Sequence, residues 1–471
     1  MNVSPWLAQI KRHRHEFILN EDRETDVVIV GGGIAGLSTA YYLLRDTKRN
    51  VLLVEADRIA HGATGHNAGQ VVSYFERSFH SIVEEFGLLA AVAGQKAVDG
   101  AWDLLEEAIR DEKLTGQLYS VRGHMGICSV ETLLQFATDL TLKKQGGIVG
   151  EELFVADDEL WTKHLPPEVL AHVILVPHEE ILQKLETDDP KYFAALADRK
   201  GCLNSAMFCE ELAGVLVEKY ADRFQIAEHS PVNVVILRED EIELACAKHS
   251  VRAKKVVLCT NGFEHFRIVS EEGADIDPRF HATMNGVIGY MAAYLEPCEE
   301  EIASATSYLP QVFGPDADYF YVTKRPYEKA EGKCETLIGL GGPVDPLPES
   351  KEYDRHAPIP PDKLNELKEF HQTLISKTSR KKAPAYVWHG LMGYTTNRIR
   401  LIGAEPCNPS LLYNLGCNGI GILPSIFGGK RISEILSGKK VEPMIFDPQD
   451  QRCVPELAVS PRSENPFRRT A

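Results

Sequence analysis

The sequence predicts an α/β protein whose first unit binds a dinucleotide, and three observations near its start carry that prediction. An apolar run, Val27-Val28-Ile29-Val30, feeds the glycine-rich turn Gly31-Gly32-Gly33-Ile34-Ala35-Gly36. A helical stretch follows from Leu37 to Leu44. A second apolar run, Val51-Leu52-Leu53-Val54, then ends in Glu55, about 20 residues past the last glycine. Strand, turn, helix, strand and acid in that order make the unit that binds an ADP-containing cofactor. Gly31 permits the tight turn, Gly33 keeps no side chain between backbone and pyrophosphate, and Gly36 lets the helix pack close to the sheet. Ile34 and Ala35 open a helix whose free N–H groups and positive dipole end face the phosphates. Glu55 is placed to accept hydrogen bonds from a ribose. The unit alone leaves NAD and FAD both open.

Bulk properties bound the rest. The chain has 471 residues, enough for two or three domains and a large core. Its 44% hydrophobic and 25% charged residues are ordinary for a globular protein. No apolar run approaches the length of about 20 residues that a transmembrane helix needs. Lys11, Arg12 and Arg14 interrupt what would be the apolar part of a secretory signal, so a cytoplasmic protein is expected. A net charge of −17, spread along the chain, disfavours nucleic acid and anionic membranes as partners. The basic cluster Lys11 to His15 reads as a solvated helix face. Ten cysteines without a CxxC pair, several in apolar runs, suit a reducing compartment and argue against structural zinc or a disulfide framework. No HExxH is present, and no metal is expected.

Further elements follow in order. Pro5 to Phe17 reads as a helix, and a helical pattern resumes from Ile82 to Glu107. Tyr119 to Cys128 is strand-like and Leu133 to Leu142 helical. A turn, Gly201 to Ser205, leads a helix from Ala206 to Tyr220. Three strands are then predicted, Pro231 to Leu237, Glu241 to Ala247 and Lys255 to Cys259; Val256-Val257-Leu258 reads as a buried central strand. Ala282 to Tyr294, Asp318 to Thr323 and Thr336 to Leu340 also read as strands. Gly342 to Pro361 reads as a loop and Asp362 to Ser376 as a helix.

Two further glycine turns choose the cofactor. Gly62-Ala63-Thr64-Gly65-His66-Asn67-Ala68-Gly69 follows the Glu55 strand, dense enough in small residues for a flat ring to lie on the backbone, with a helix starting near Thr64. Near the other end, Trp388-His389-Gly390-Leu391-Met392-Gly393-Tyr394-Thr395 precedes Arg400-Leu401-Ile402-Gly403. The strand Leu411 to Leu415 runs into Gly416-Cys417-Asn418-Gly419-Ile420-Gly421, and a helix from Ile422 to Leu436 closes at Gly438. This second helix N-terminus can stabilise negative charge at the pyrimidine edge of a reduced flavin. A nicotinamide enzyme has no use for such a device.

In these four segments, Val27 to Glu55, Gly62 to Gly69, Pro231 to Gly262 and Trp388 to Gly438, the chain resembles the FAD-dependent oxidoreductases of the D-amino acid oxidase superfamily, the group of glycine oxidase, sarcosine oxidases and related amine dehydrogenases. The resemblance implies a Rossmann-like FAD-binding domain assembled from discontinuous segments (1–80, 201–270 and 385–471). It adds a substrate domain with a large mixed β-sheet (81–200 and 271–384). It implies that Val232 holds the adenine, and that Thr260 and Gly262 line the ADP half. Thr64, His66 and Asn67 fall beside pyrophosphate and flavin, with Ala56, Ala63, Ala68 and Gly390 as neighbours. Gly419, Ile420, Gly421 and Ile422 fall at the pyrimidine end. Met392 stands where some relatives carry a carboxylate-gripping arginine and others a cysteine bonded to the flavin. Non-covalent FAD and no carboxylate clamp at that position are therefore expected.

The family's reaction carries a hydride equivalent from the carbon next to nitrogen to the flavin, giving an imine that water hydrolyses. A small amine or amino acid is the expected substrate, with oxygen or an electron carrier as acceptor. Tyr319 and Tyr321 could face the ring from one side of a strand. His389 could touch substrate, Arg325 could pair a substrate carboxylate, and Tyr290 and Met392 could wall the site. Alternatives are oxidation of an alcohol C–O bond and a non-catalytic, FAD-stabilised assembly protein.

Overall fold

Four successive apolar side chains, Val27 to Val30, are satisfied only where a sheet is covered on both faces, and they form the buried inner half of the strand Arg23–Val30. In the computed structural model the described residues are 2–116, 118–163, 165–170, 172–263, 265–298, 303–311, 319–328, 334–348, 351–375 and 382–449. Asp318, Ser376 and residues 450–471, each part of an expectation above, lie outside them.

Two 10-stranded sheets organise the chain. The first runs Phe17–Ile18, Phe224–Glu228, Val51–Val54, Arg23–Val30, His249–Leu258, Ile242–Cys246, Val232–Leu237, Arg267–Ser270. Asn408–Leu415 also pairs with His249–Leu258 and carries Leu401–Glu405 on its far side. Its centre is parallel: Val30 is in register with Val54 and with Leu258, and Leu258 with Tyr413. Four strand C-termini from distant parts of the sequence thus end side by side, which is where ligands bind in open parallel sheets. The helices Ile34–Asp46 and Ile422–Leu436 cover this region and pack so closely that a Cβ on Gly429 would stand 2.6 Å from the backbone of Ser38.

The second sheet runs Tyr386–Thr395, Met284–Pro297, Cys334–Pro346, Phe320–Glu328, Ser304–Tyr308, Leu118–Ile127, Ala194–Leu203, Glu152–Ala156, Val173–Val176, with Gln70–Val71 added to Ala194–Leu203. Its parallel and antiparallel pairs make it mixed. Residues 201–203 and 386–395, expected in the cofactor part, pair within this second sheet.

Several local expectations are corrected. The N-terminal helix is only Pro5–Ala8. Of the basic residues beyond it, Lys11, His13 and His15 are exposed but Arg14 turns inward: it donates to Glu228 Oε2 at 2.7 Å and to Oε1 at 2.8 Å, and Glu228 is fully buried. The expected helix of 82–107 is three, Phe79–Phe86, Leu88–Asp99 and Ala101–Asp111, interrupted at Gly87 (φ +80°) and at Gly100. Gly201 to Leu203 end a strand instead of forming a turn. No helix starts at Thr64; that segment is a chain of turns. The strand Cys334–Pro346 enters what was read as a loop, and the following helix is Pro361–His371. Among the described cysteines, eight are free thiols.

Candidate functional site

At the C-termini of the parallel strands lies a cavity of about 490 Å³. Its floor begins at Gly31, whose φ of +108° is open to glycine and whose added Cβ would meet the Cys259 carbonyl oxygen at 2.6 Å. Gly33 faces Thr64 across the same floor, an added Cβ lying 2.9 Å from Oγ1. Ile34 and Ala35, the first turn of the helix, complete it. Thr64 Oγ1 accepts the Ile34 N–H at 3.0 Å, so this residue caps the helix as well as lining the cavity.

Glu55 sits at the end of the second strand and accepts the Gly32 N–H at 2.6 Å and the Asp57 N–H at 2.9 Å. Burial is the largest influence on its carboxyl group and raises its pKa. Each oxygen keeps a lone pair, so the expected ribose contact is compatible with the turn contacts. Ala56 and Val232 line the same end of the cavity.

The Gly62 to Gly69 segment forms one wall through Ala63, Thr64, His66, Asn67 and Ala68. Asn67 ties it together, donating to Thr64 O at 2.9 Å and Ser205 Oγ at 2.8 Å while accepting the Gly69 N–H at 2.7 Å. His66 Nδ1 lies 3.0 Å from Gly62 O, and burial pulls its pKa down to about 4, leaving a neutral imidazole. Gly390 closes against His66, where a Cβ would be 2.6 Å from the His66 carbonyl oxygen.

The second glycine turn supplies the far end through Gly419, Ile420, Gly421 and Ile422. Asn418 (φ +46°) and Gly419 (φ +76°) shape it, and Asn261 Oδ1 anchors it by accepting the Cys417 N–H at 2.9 Å. The N-terminus of Ile422–Leu436 therefore opens into the same cavity as that of Ile34–Asp46. Two helix N-termini facing one space make it an anion site at one point and a site for developing negative charge at the other.

Tyr319, Tyr321 and Met392 line the cavity, the two tyrosine rings edge-to-face at 5.9 Å. His389 does not. Alternation along Tyr386–Thr395 turns Gly390 and Met392 inward and His389 outward, where its ring meets the Tyr353 hydroxyl at 2.9 Å and Ala357 O at 3.0 Å. Tyr290 shares that outer side, 6.1 Å from the His389 ring. Arg325 is also absent from the cavity wall; it is buried over Trp6 and Tyr119. Gly36 and Gly262 act by close packing instead of lining: a Cβ would meet Gly31 O at 1.9 Å and Met392 O at 2.6 Å respectively.

Sequence reasoning missed Gln70, Val72 and Tyr74, which line the wall beyond the Gly62 to Gly69 turn; their period of two was the available signal. It also missed Arg400 and Asn414. Arg400 is buried and donates to Asn414 Oδ1 and Asn414 O at 3.0 Å each, and burial lowers its pKa to about 10.

The cavity fits an adenine dinucleotide. Thr260 Oγ1 and Gln70 Nε2 are buried and unpartnered in its wall, and glycines keep the floor clear where a Cβ would intrude.

Residues 26–435 match the family model described as FAD dependent oxidoreductase (DAO). Among curated proteins, 93 residues are 37% identical to gamma-glutamylputrescine oxidoreductase of Escherichia coli, covering 20% of this chain and 21% of that one. A probable oxidoreductase, OrdL, of Haemophilus influenzae is 24% identical over 251 residues, 52% of this chain and 51% of its own. The chain thus spans about half or less of the length of these relatives. Among solved structures, glycine oxidase from Geobacillus kaustophilus superposes with a TM-score of 0.63 at 16% identity, over 89% of this chain and 96% of that one. The FAD-bound L-alpha-glycerophosphate oxidase of Mycoplasma pneumoniae does so at 0.61 and 14% identity, over 90% and 100%. The chain belongs to the DAO family of FAD-dependent oxidoreductases, and FAD is its cofactor.

Proposed function

We propose that this flavoenzyme oxidises a C–N bond of a small amine or amino acid, giving an imine that water hydrolyses. The observation that carries this reading is the aromatic and thioether wall at one end of the cavity, formed by Tyr74, Tyr319, Tyr321, Met291 and Met392. Such a wall disfavours an ammonium ion relative to the neutral amine, which is the form whose lone pair assists loss of hydride. FAD, when bound, supplies the two-electron acceptor.

The chain's own residues bind, orient and exclude water. Gly31, Gly33, Ile34 and Ala35 would take the pyrophosphate on backbone N–H groups, while Glu55, Ala56, Val232 and Thr260 would hold the adenosine half. Ala63, Thr64, His66, Asn67, Ala68 and Gly390 would flank the flavin, and Gly419 to Ile422 would meet its pyrimidine edge. Met392 offers a thioether, so no covalent flavin link forms at that position, and the cofactor is read as non-covalently held. The similarity to gamma-glutamylputrescine oxidoreductase and to glycine oxidase points toward nitrogen substrates. The similarity to glycerophosphate oxidase keeps the alcohol alternative within the same fold. Against it, the arginines among the described cavity residues are Arg355, paired with Asp57, and Arg400, held by Asn414. With Arg325 also outside the cavity, a neutral or cationic amine fits better than a clamped carboxylate.

Oxygen or an electron carrier would reoxidise the flavin. No helix among the described residues is long and apolar enough to cross a membrane. The test is an anaerobic absorbance titration of the purified holoenzyme with amines, amino acids and glycerol phosphate. Bleaching by an amine or amino acid is expected; bleaching by glycerol phosphate alone would overturn the reading. Admitting air then separates oxidase from dehydrogenase.

A further inference from the structure

We propose that Tyr319 and Glu76 form a proton-accepting pair at the substrate end of the cavity, through which the substrate's ammonium group sheds its proton before oxidation. This rests on the amine reading above and adds a route that the reading does not require.

Tyr319 is shared between the large cavity and a second one of about 60 Å³ behind it. Its hydroxyl donates to Glu76 Oε1 at 2.6 Å. Glu76 lies against the second glycine turn: a Cβ on Gly419 would stand 2.9 Å from Glu76 Oε1 and 2.8 Å from the Tyr394 hydroxyl. The cavity therefore meets a hydroxyl whose proton already points at a carboxylate. The groups facing that carboxylate are Tyr319, Tyr74, Tyr394 and, at longer range, Arg398. Burial outweighs the Tyr319 bond and the Arg398 charge and pushes the Glu76 pKa up to about 7. A proton acceptor works best with a pKa near the working pH.

A second arm leads away from the same hydroxyl. Tyr319 interacts with the Tyr74 hydroxyl, and Tyr74 with Ser307. Lys200 is almost fully buried, donates to Ser307 Oγ at 2.9 Å and to His124 O at 3.0 Å, and lies 5.6 Å from the Tyr74 ring. Burial lowers its pKa to about 7 against the charges of Asp198 and Cys202. Lys200 closes a line of exchangeable protons that ends in the small second cavity, where Asp198 and Glu151 also stand.

The transfer balances without electrons leaving the substrate. The ammonium N–H bond breaks as its proton moves to Tyr319 Oη. The Tyr319 O–H bond breaks as its own proton moves to Glu76 Oε1, where an O–H bond forms. A neutral amine, a tyrosine hydroxyl and a carboxylic acid result. Tyr319 touches the substrate; Glu76 acts through it as a positioning residue.

The test is anaerobic flavin reduction by a saturating amine between pH 5 and 10 in wild type, Glu76→Gln, Glu76→Asp and Tyr319→Phe holoenzymes, with flavin content and amine-induced spectral shifts as parallel readouts. Wild type should gain rate through a group titrating near pH 7. Glu76→Gln and Tyr319→Phe should lose that limb and fall roughly 100-fold at pH 7 while keeping FAD. Glu76→Asp should restore the limb. An amine that reduces wild type and Glu76→Gln alike, with the same pH profile, overturns the proton pair and leaves the amine reading standing. If no amine reduces wild type, yet amines shift its flavin spectrum with a pH dependence that Glu76→Gln abolishes, the reaction is overturned and the pair supported. If neither response occurs, both fail.

Discussion

Gly36 rests against the carbonyl oxygen of Gly31, so closely that a Cβ on Gly36 would stand 1.9 Å from it. The contact sets how near the helix Ile34–Asp46 comes to the end of Arg23–Val30, and with it the distance between the helix N–H groups and anything bound on the turn. Gly36→Val must push the helix away, whereas Gly33→Val fills the floor beside Thr64 and leaves the helix where it is. Both variants should purify without flavin absorbance. Gly36→Val should also melt earlier, by a destabilisation of about 1–3 kcal/mol for overpacking. Stoichiometric FAD in Gly33→Val would contradict the site.

Arg400 tests the anion end of the cavity. Its guanidinium is buried with Asn414 as hydrogen-bond partner, and among the described residues no carboxylate lies within ion-pair distance. A bound anionic cofactor relieves that burial. Arg400→Met is expected to leave the apoprotein as stable as wild type, or more so, while weakening FAD by roughly tenfold or more. Fluorescence titration of apoprotein with FAD, alongside urea unfolding, reads both.

The pair Arg14 and Glu228 tests how the N-terminal segment is held. Glu228 is fully buried and also accepts the Ile59 N–H at 2.7 Å. Arg14→Met leaves that charge with only Arg12, at 3.4 Å, and should cost up to roughly 3–5 kcal/mol. The double variant Arg14→Met, Glu228→Gln should recover most of it. The Glu228 carboxyl is lowered by its bonds to Arg14 and Ile59, against an opposing effect of burial that is the largest single influence. Its contribution to stability is therefore present above the ordinary glutamate range and is lost as pH falls through the lowered value.

His66 carries a stability signature of its own. Its pKa is about 4 when folded, against 6.5 for the ordinary group. Between these values the unfolded chain binds the proton and the folded one does not, so stability is complete above pH 6.5 and declines as pH falls toward 4. Urea unfolding of apoprotein should show His66→Asn losing less stability than wild type over that window, by up to about 3 kcal/mol. Parallel curves for the two proteins would contradict the buried neutral imidazole.

Local chemistry made part of the site legible. Gly31, Gly33 and Gly36 do their work within six residues of each other, and the apolar runs on either side state their own burial. The glycine turn at Gly416 to Gly421, leading into a helix, is local in the same way. Periodicity was less informative where tertiary contacts override it: the segment after Ala8 carries a helical charge pattern, yet its arginines straighten it against Glu210 and Glu228.

By itself, then, the amino-acid sequence determined the two glycine turns that open the helices Ile34–Asp46 and Ile422–Leu436, the acid after the second strand and the flavin class of cofactor, because each depends on backbone geometry that neighbouring residues dictate. The tertiary structure alone decided which side chains face the cavity. A one-residue difference in strand phase turns Met392 inward and His389 out, and the distance along Phe320–Glu328 removes Arg325 from the cavity. The same holds for the meeting of Tyr319 with Glu76, 243 residues apart in sequence. Hydrogen bonding and desolvation act through space, and no local pattern in either segment announces the other.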